Sequence, residues 1–342
     1  MAGNVVLDRE EVRSILSLYH LEDLEDFGGN EDATIHTSYW IKAGGRRYDL
    51  RITERKTLDD MVYEKDLLLQ LKRAGLPVPI LVRNVARGTF TPWARRGRYV
   101  SLFEHMPGRC LGRFEVRARH TRTIGRVLGD LHRSAATFRR RRSNPWAMEV
   151  LADKQARLRR ALERKRLALR YESSVQLLSD ELLRQEQRLR QSVLPIGAIH
   201  GSLSISRARF RSDALVGVVE FESACRDRFV LDLALALTDW AWEPSARQRG
   251  GPAGRYKLTK VRALLDGYQR NRILSMTERE ALPHELRFVA MREAIRCLIR
   301  HDLSRSGRDG SRPYRDYRHY MARLEALSDD RAEEMVGRAL RL

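Results

Sequence analysis

The feature that most constrains this chain is a change of hydrophobic period. In the first hundred residues apolar side chains alternate in short runs, as in HTSYWIKAGGRRYDLRITE and TFTPWARRGRYVSLFEHM, whereas from Met106 onward they recur at three- and four-residue spacing over long stretches. Period two marks a half-buried strand and period 3.6 a helix packed on one face. One island interrupts the helical part, LPIGAIHGSLSISRARFRSDALVGVVEFES, with short β-type runs. Sheet first, helices later and one β island inside them is an α+β pattern. The expected organisation is a small lobe over residues 1–104, a mainly helical lobe over 105–342, and the island at 195–224, with a hinge near Glu104 to Gly108. The 342 residues, 42% hydrophobic and 32% charged, bury a sizeable core and exclude a disordered chain.

Local signals support this division. Asp8 followed by Glu11 has capping-box spacing before LDREEVRSILSLYHLEDLEDF, which predicts a leading helix followed by an acidic turn. Gly44-Gly45 between two alternating runs predicts a tight hairpin. Leu58 to Ala74 is a helix stopped by Gly75 and Pro77. Beyond the hinge, RTIGRVLGDLHRSA is an amphipathic helix, and residues 148–193 form a helical hairpin turning at Tyr171-Glu172. Helices continue from Asp232 to the end.

Charge raises a separate question. The formal net charge is +20, and residues 109–170 hold 19 basic and 5 acidic side chains, so this one block carries +14 of it. Such a block fits a nucleic acid or another polyanion, but a charge run on a helix also fits a solvated face. Only 8 of the 65 basic residues are lysine, so part of the arginine excess reflects a compositional bias spread along the chain. Phe114, Phe138 and Trp146 are the only aromatics between Arg109 and Arg170, too few for stacking on single-stranded bases. Cys110, Cys225 and Cys297 have neither disulfide-framework nor zinc spacing, which points to a reducing compartment. With no apolar run approaching about 18 residues and no signal-type N-terminus, a cytoplasmic protein without a membrane partner is expected.

The chemistry is expected in the island. It gathers polar residues at adjacent strand ends: Ile199-His200, a loop through Ser202 to Arg207, and Val219-Glu220-Phe221. Phosphoryl transfer uses such a layout, one loop residue orienting the accepting hydroxyl and carboxylate or amide groups holding metal ions. By themselves the same residues also fit a structural histidine, a turn serine and a surface carboxylate.

The order of segments resembles the protein-kinase-like fold of the aminoglycoside and choline phosphotransferases, and most nearly their homoserine kinase branch. The likeness runs through GGRRYDLRI, YEKDLLLQLKRAGLPVP, SLFEHMPG, GRVLGDLH, AIHGSL, GVVEFESACRDRFVLDLALALTDW and LTKVRALLDGYQRNRILSMTEREALP. The resemblance implies a two-lobed α+β fold that binds ATP. Arg51 then stands where many relatives carry the lysine that contacts nucleotide phosphates, and Glu64 where its acidic partner sits. Leu102 to Met106, with Phe103 and Glu104, would offer backbone groups to adenine. His200 and Gly201 open the catalytic-loop motif, and Asp232 would support that loop from the following helix, a role close to that of an N-cap.

At three positions the match breaks. The family motif reads His-Gly-Asp-Leu with an Asn five residues after the Asp; here those places hold Ser202 and Arg207, and Glu220 replaces the metal-binding Asp. A serine hydroxyl has no useful basicity near neutral pH, and losing a general base costs about 10²–10⁴ in rate. A guanidinium has donors only and cannot ligate Mg²⁺. Glu220 keeps a carboxylate on a longer arm, a poor fit for the strict geometry of Mg²⁺. The expectation is therefore a catalytically impaired, nucleotide-binding pseudokinase in which Arg207 clamps phosphates without Mg²⁺. The alternatives are an active ATP-dependent kinase of homoserine or another small hydroxyl compound, in which Glu220 or Glu222 recovers the metal, and a module that binds nucleic acid, another polyanion or an acidic protein through the Arg109–Arg170 block.

Overall fold

A computed structural model describes residues 5–29, 36–54, 56–93, 98–190, 193–245, 252–302 and 316–340. It divides into two units, Met1–Arg109 with Arg207–Glu222, and Cys110–Ser206 with Ser223–Leu342. The units do not follow a single break in the sequence, because part of the island belongs to the first.

In the first unit, Asp8 caps α1 (Arg9–Ser17) through a full capping box with Glu11. Five antiparallel strands follow the order β1-β2-β3-β5-β4: β1 (Leu24–Gly29), β2 (Thr37–Ala43), β3 (Arg46–Thr53), β4 (Thr91–Trp93) and β5 (Arg98–Glu104). Gly44 and Gly45 join β2 to β3 with φ of 54° and 71°, left-handed values that glycine adopts without a Cβ clash. Residues 94–97, within the second expected hairpin, lie outside the described residues. The expected acidic turn after α1 is instead strand β1, which pairs along β2. Its composition is poor for a strand, and the backbone partners offered by the exposed edge of β2 outweigh that preference. Ile41, Leu50, Ile52, Val100 and Leu102 of the sheet pack with Val12, Ile15 and Leu16 of α1. Helix α2 (Leu58–Arg73) buries Met61, Tyr63, Glu64, Leu67, Leu68 and Leu71, and ends at Gly75, whose φ is +82°. The hairpin β7 (Ala208–Arg211) and β8 (Ala214–Val218) also belongs to this unit, tied to it by the Val218 amide on the Pro77 carbonyl at 2.8 Å.

The second unit is mainly helical: α3 (Ala118–Ala135), α4 (Met148–Arg164), α5 (Ala168–Arg190), α6 (Phe229–Trp240), α7 (Leu258–Gln269), α8 (Met276–Cys297), α9 (Arg318–Glu325) and α10 (Asp329–Leu340). Two short strands, β6 (Ile196–Ile199) and β9 (Cys225–Arg228), pair antiparallel, and β10 (Trp242–Pro244) pairs with β11 (Gly254–Tyr256). The α4–α5 connection lies at residues 165–167, not at Tyr171-Glu172: Arg166 takes φ of 56°, and Tyr171 is buried inside α5 against Tyr317. Helix α6, FVLDLALALTDW, is apolar almost all round and buried nearly throughout, as a central helix must be. Helices α3 and α7 approach backbone to backbone at Gly125 and Gly267, where a Cβ would meet the Leu264 and Arg122 carbonyls at 2.0 and 2.1 Å. That contact brings His132 of α3 beside Tyr268 of α7.

Candidate phosphotransferase site

Helix α6 holds the loop that follows β6. Asp232, fully buried, accepts the His200 amide at 2.8 Å and the Gly201 amide at 2.9 Å. Seven residues on, two turns along the same face, Asp239 accepts the Ile205 amide at 2.8 Å, and Trp240 Nε1 donates to the Leu203 carbonyl at 3.0 Å. Four loop residues are thus anchored to one helix. Ser202 lies among them, its carbonyl accepting the Ser204 amide. Gly201 has φ of +76°, and a Cβ there would lie 2.4 Å from the Ser223 carbonyl oxygen, so only glycine fits.

Behind Asp232 runs a buried relay. His132 Nε2 lies 3.1 Å from Asp232, His132 Nδ1 is 2.7 Å from the Tyr268 hydroxyl, and Arg272 donates to that hydroxyl at 2.8 Å. Burial lowers the His132 pKa despite the attraction of Asp232. It would raise that of Asp232, but the hydrogen bonds from His132 and the His200 amide outweigh it and hold the carboxyl low. A neutral imidazole donating from Nε2 to an ionised carboxylate satisfies both directions.

The first unit carries its own charge network. Arg51 donates to Glu64 at 2.7 Å, lies 3.5 Å from Glu222 and stacks over Phe103 at 4.6 Å. Lys56 holds the other oxygen of Glu64 at 2.6 Å. Burial alone would depress the Arg51 pKa; Glu64, Glu222 and Glu220 reverse this and raise it. For Glu64, burial raises the pKa but Arg51 and Lys56 outweigh it, keeping the carboxyl ionised. Lys56 keeps a lowered pKa because burial dominates. A small cavity is lined by Arg51, Lys56, Glu64, Phe90, Ser101 and Phe103. In the segment expected to face adenine, the Leu102 carbonyl, the Glu104 amide and the His105 amide already bond Val82, Ile80 and Arg47.

Arg207 and Glu220, expected from the sequence at the family's Asn and Asp places, pair with each other, Nε to Oε2 at 2.8 Å. Glu220 has φ of +63°, a backbone strain costing about 1–2 kcal/mol in a non-glycine residue. A divalent cation does not fit this arrangement: the carboxylate already faces a permanent cation, and the second carboxylate nearby, Glu222, faces Arg51. Among the described residues no group of three or more His, Cys, Asp or Glu is placed to hold a metal ion.

The structure thus joins Arg51 with Glu64 and Phe103, and Arg207 with Glu220, while His200 and Ser202 sit on the α6-anchored loop. Sequence reasoning missed Lys56, whose only signal is a lysine five residues after Arg51 and just ahead of the Thr57 cap of α2. It also missed Asp239, signalled by its seven-residue spacing from Asp232, and His132. In the basic block, Arg113 pairs with Asp239, Arg142 donates to the Ala224 carbonyl at 2.6 Å, and Arg157 pairs with Asp153 on the surface of α4. Among the described residues no helix is long and apolar enough to cross a membrane.

Comparison with known proteins gives the family and the fold. The phosphotransferase enzyme family matches residues 29–270, and the chain belongs to it. The homoserine kinase of Xanthobacter autotrophicus is 29% identical over 300 residues, covering 84% of this chain and 85% of the relative; that of Methylobacillus flagellatus is 28% identical over 283 residues, covering 83% and 82%. Among solved structures, an amicoumacin kinase bound to AMP-PNP and Ca²⁺ superposes with TM-score 0.67 at 14% identity, covering 97% of this chain and 94% of that one. An aminoglycoside phosphotransferase from Alicyclobacillus acidocaldarius gives 0.67 at 13% identity, covering 99% and 98%. The fold is the two-lobed α+β phosphotransferase fold.

Proposed function

We propose that this chain is a nucleotide-binding member of the homoserine-kinase-like group in which phosphoryl transfer is impaired, a pseudokinase that holds nucleotide phosphates without Mg²⁺. The observation that carries this reading is the Arg207–Glu220 ion pair at 2.8 Å: a guanidinium stands against the one carboxylate that the family pattern assigns to metal. Buried cations remain at Arg51 and Lys56 for an anionic ligand, and nucleotide complexes are known for similar folds, as in the amicoumacin kinase. Ser202 can orient a hydroxyl but cannot take its proton.

A thermal-shift titration with ATP, with and without Mg²⁺, tests the reading. Stabilisation by ATP that is the same in both is expected. Stabilisation that requires Mg²⁺, or homoserine phosphorylation at about 1–100 per second, would replace it with an active small-molecule kinase in which Glu220 or Glu222 recovers the metal. Such a kinase must first displace Arg51 from Glu222 or Arg207 from Glu220.

A further inference from the structure

The two oxygens of Glu64 serve two cations: Oε1 takes Arg51 Nη1 at 2.7 Å and Oε2 takes Lys56 Nζ at 2.6 Å. The cations are not equally committed. Arg51 is held on three sides, by Glu64, by Glu222 at 3.5 Å from Nε, and by the Phe103 ring centred 4.6 Å from its guanidinium carbon. Lys56 has an ion pair with Glu64 alone among the described residues. An ammonium carries three donors on a flexible four-carbon stem, so Glu64 leaves it donors for a second acceptor.

Release is unequal as well. When Lys56 leaves Glu64, Arg51 stays on the other oxygen and the carboxylate remains paired; when Arg51 leaves, Glu64 and Glu222 both lose a partner in a buried setting. Electrostatics separates the two in the same sense. Burial disfavours both charges, but Glu64, Glu222 and Glu220 overcome it for Arg51 and raise its pKa. For Lys56 burial prevails over Glu64, and the Arg51 charge adds to the depression. The guanidinium is therefore more than compensated, and the ammonium is the cation that gains from a further anion.

Both side chains line one cavity, with Lys65 as a third cation on its wall. Lys65 is already paired with Asp66 at 2.9 Å. Lys56 stands in the connection between β3 and α2, immediately before Thr57, the N-cap of α2. Turning its stem from Glu64 toward the cavity therefore breaks no strand or helix hydrogen bond. A phosphate oxygen there accepts a charge-assisted hydrogen bond from a point charge, the mode in which lysine binds phosphate.

We propose that Lys56, and not Arg51, meets the phosphates of a nucleotide in this cavity, exchanging Glu64 for a phosphate oxygen, while Arg51 is the fixed anchor of Glu64 and Glu222. The proposal rests on the reading that the chain binds a nucleotide, but not on whether it needs Mg²⁺ or transfers phosphate. Calorimetric titration of the intact chain compares ATP with adenosine, the same ligand without phosphates, in whichever condition, with or without Mg²⁺, the parent chain binds ATP. Lys56→Gln, which keeps a donor for Glu64, should weaken ATP binding about tenfold or more and change adenosine binding by less than about twofold. Its unliganded melting temperature should stay near that of the parent, whereas a lysine that only braces Glu64 would lower it and weaken both ligands alike. Arg51→Lys should melt lower yet keep the ratio of ATP to adenosine affinity within about threefold, and Lys65→Met, which removes a charge from the same wall, should keep that ratio too. A ratio unchanged in Lys56→Gln, or reduced as much in Arg51→Lys or Lys65→Met, would overturn the role of Lys56 and leave nucleotide binding standing. A parent chain that binds no ATP in either condition would overturn both.

Discussion

The loop His200–Ile205 and the pair Arg207–Glu220 are near neighbours in sequence, yet they have met different fates. The loop keeps its support: Asp232, Asp239 and Trp240 bond four of its backbone groups, and Asp232 rests on His132. The pair has changed chemistry, and with the Glu220 side chain 41% exposed it contributes only about 0–1 kcal/mol of stability. The difference shows where replacement is cheap. Removing a buried acceptor strands several donors at once, while exchanging a partly exposed side chain for one that finds a neighbouring partner costs the fold little.

This contrast can be broken at either end. The largest effect is expected from Asp232→Ala, which strands two backbone amides and His132 and should cost about 3–5 kcal/mol in urea unfolding; a loss below about 1 kcal/mol would mean that α6 does not hold the loop. Gly201→Ala comes next, combining a left-handed backbone, about 1–2 kcal/mol, with a clash against the Ser223 carbonyl, about 1–3 kcal/mol. It should leave the unit folded but with a lower urea midpoint. Replacing the pair by the family's residues, Arg207→Asn with Glu220→Asp, should make ATP stabilisation Mg²⁺-dependent, by about 2.7 kcal/mol at a hundredfold excess over Kd. If Mg²⁺ has no effect on the double variant, the pair is not what excludes the metal.

The smallest effect is on pH. A histidine whose folded pKa is lowered binds more protons when unfolded, so its contribution is full above the unfolded value of about 6.5 and falls as pH drops toward the folded value. One such group gives at most about 1.4 kcal/mol per pH unit. His132→Gln should flatten the stability curve below about pH 6.5, and an unchanged slope would exclude His132 as its source. His284 and His319, also lowered by burial, leave a residual slope.

What could be read from sequence follows the locality of the signal. The Gly44-Gly45 turn, the Asp8 cap and the Gly75 stop were legible because each depends on one residue's backbone freedom or one side chain reaching its own amide neighbours. Strand β1 was not, because LEDFGG becomes a strand only when β2 offers it an edge. The α4–α5 turn was misplaced because Arg166 carries no mark of a left-handed residue. At the site, the support of the loop by Asp232 was legible from its place in the next helix. The partners were not visible: that Arg207 bonds Glu220, and that Lys56 shares Glu64 with Arg51, depends on the register of β7 against β8 and on where α2 lies against the sheet.

Arg207 and Glu220 belong to the same unit, although the loop that leads into Arg207 belongs to the other. The pair is therefore formed within one unit. An anion that competes for the Arg207 guanidinium would free the Glu220 carboxylate, so the pair links anion binding to the exposure of an acidic group.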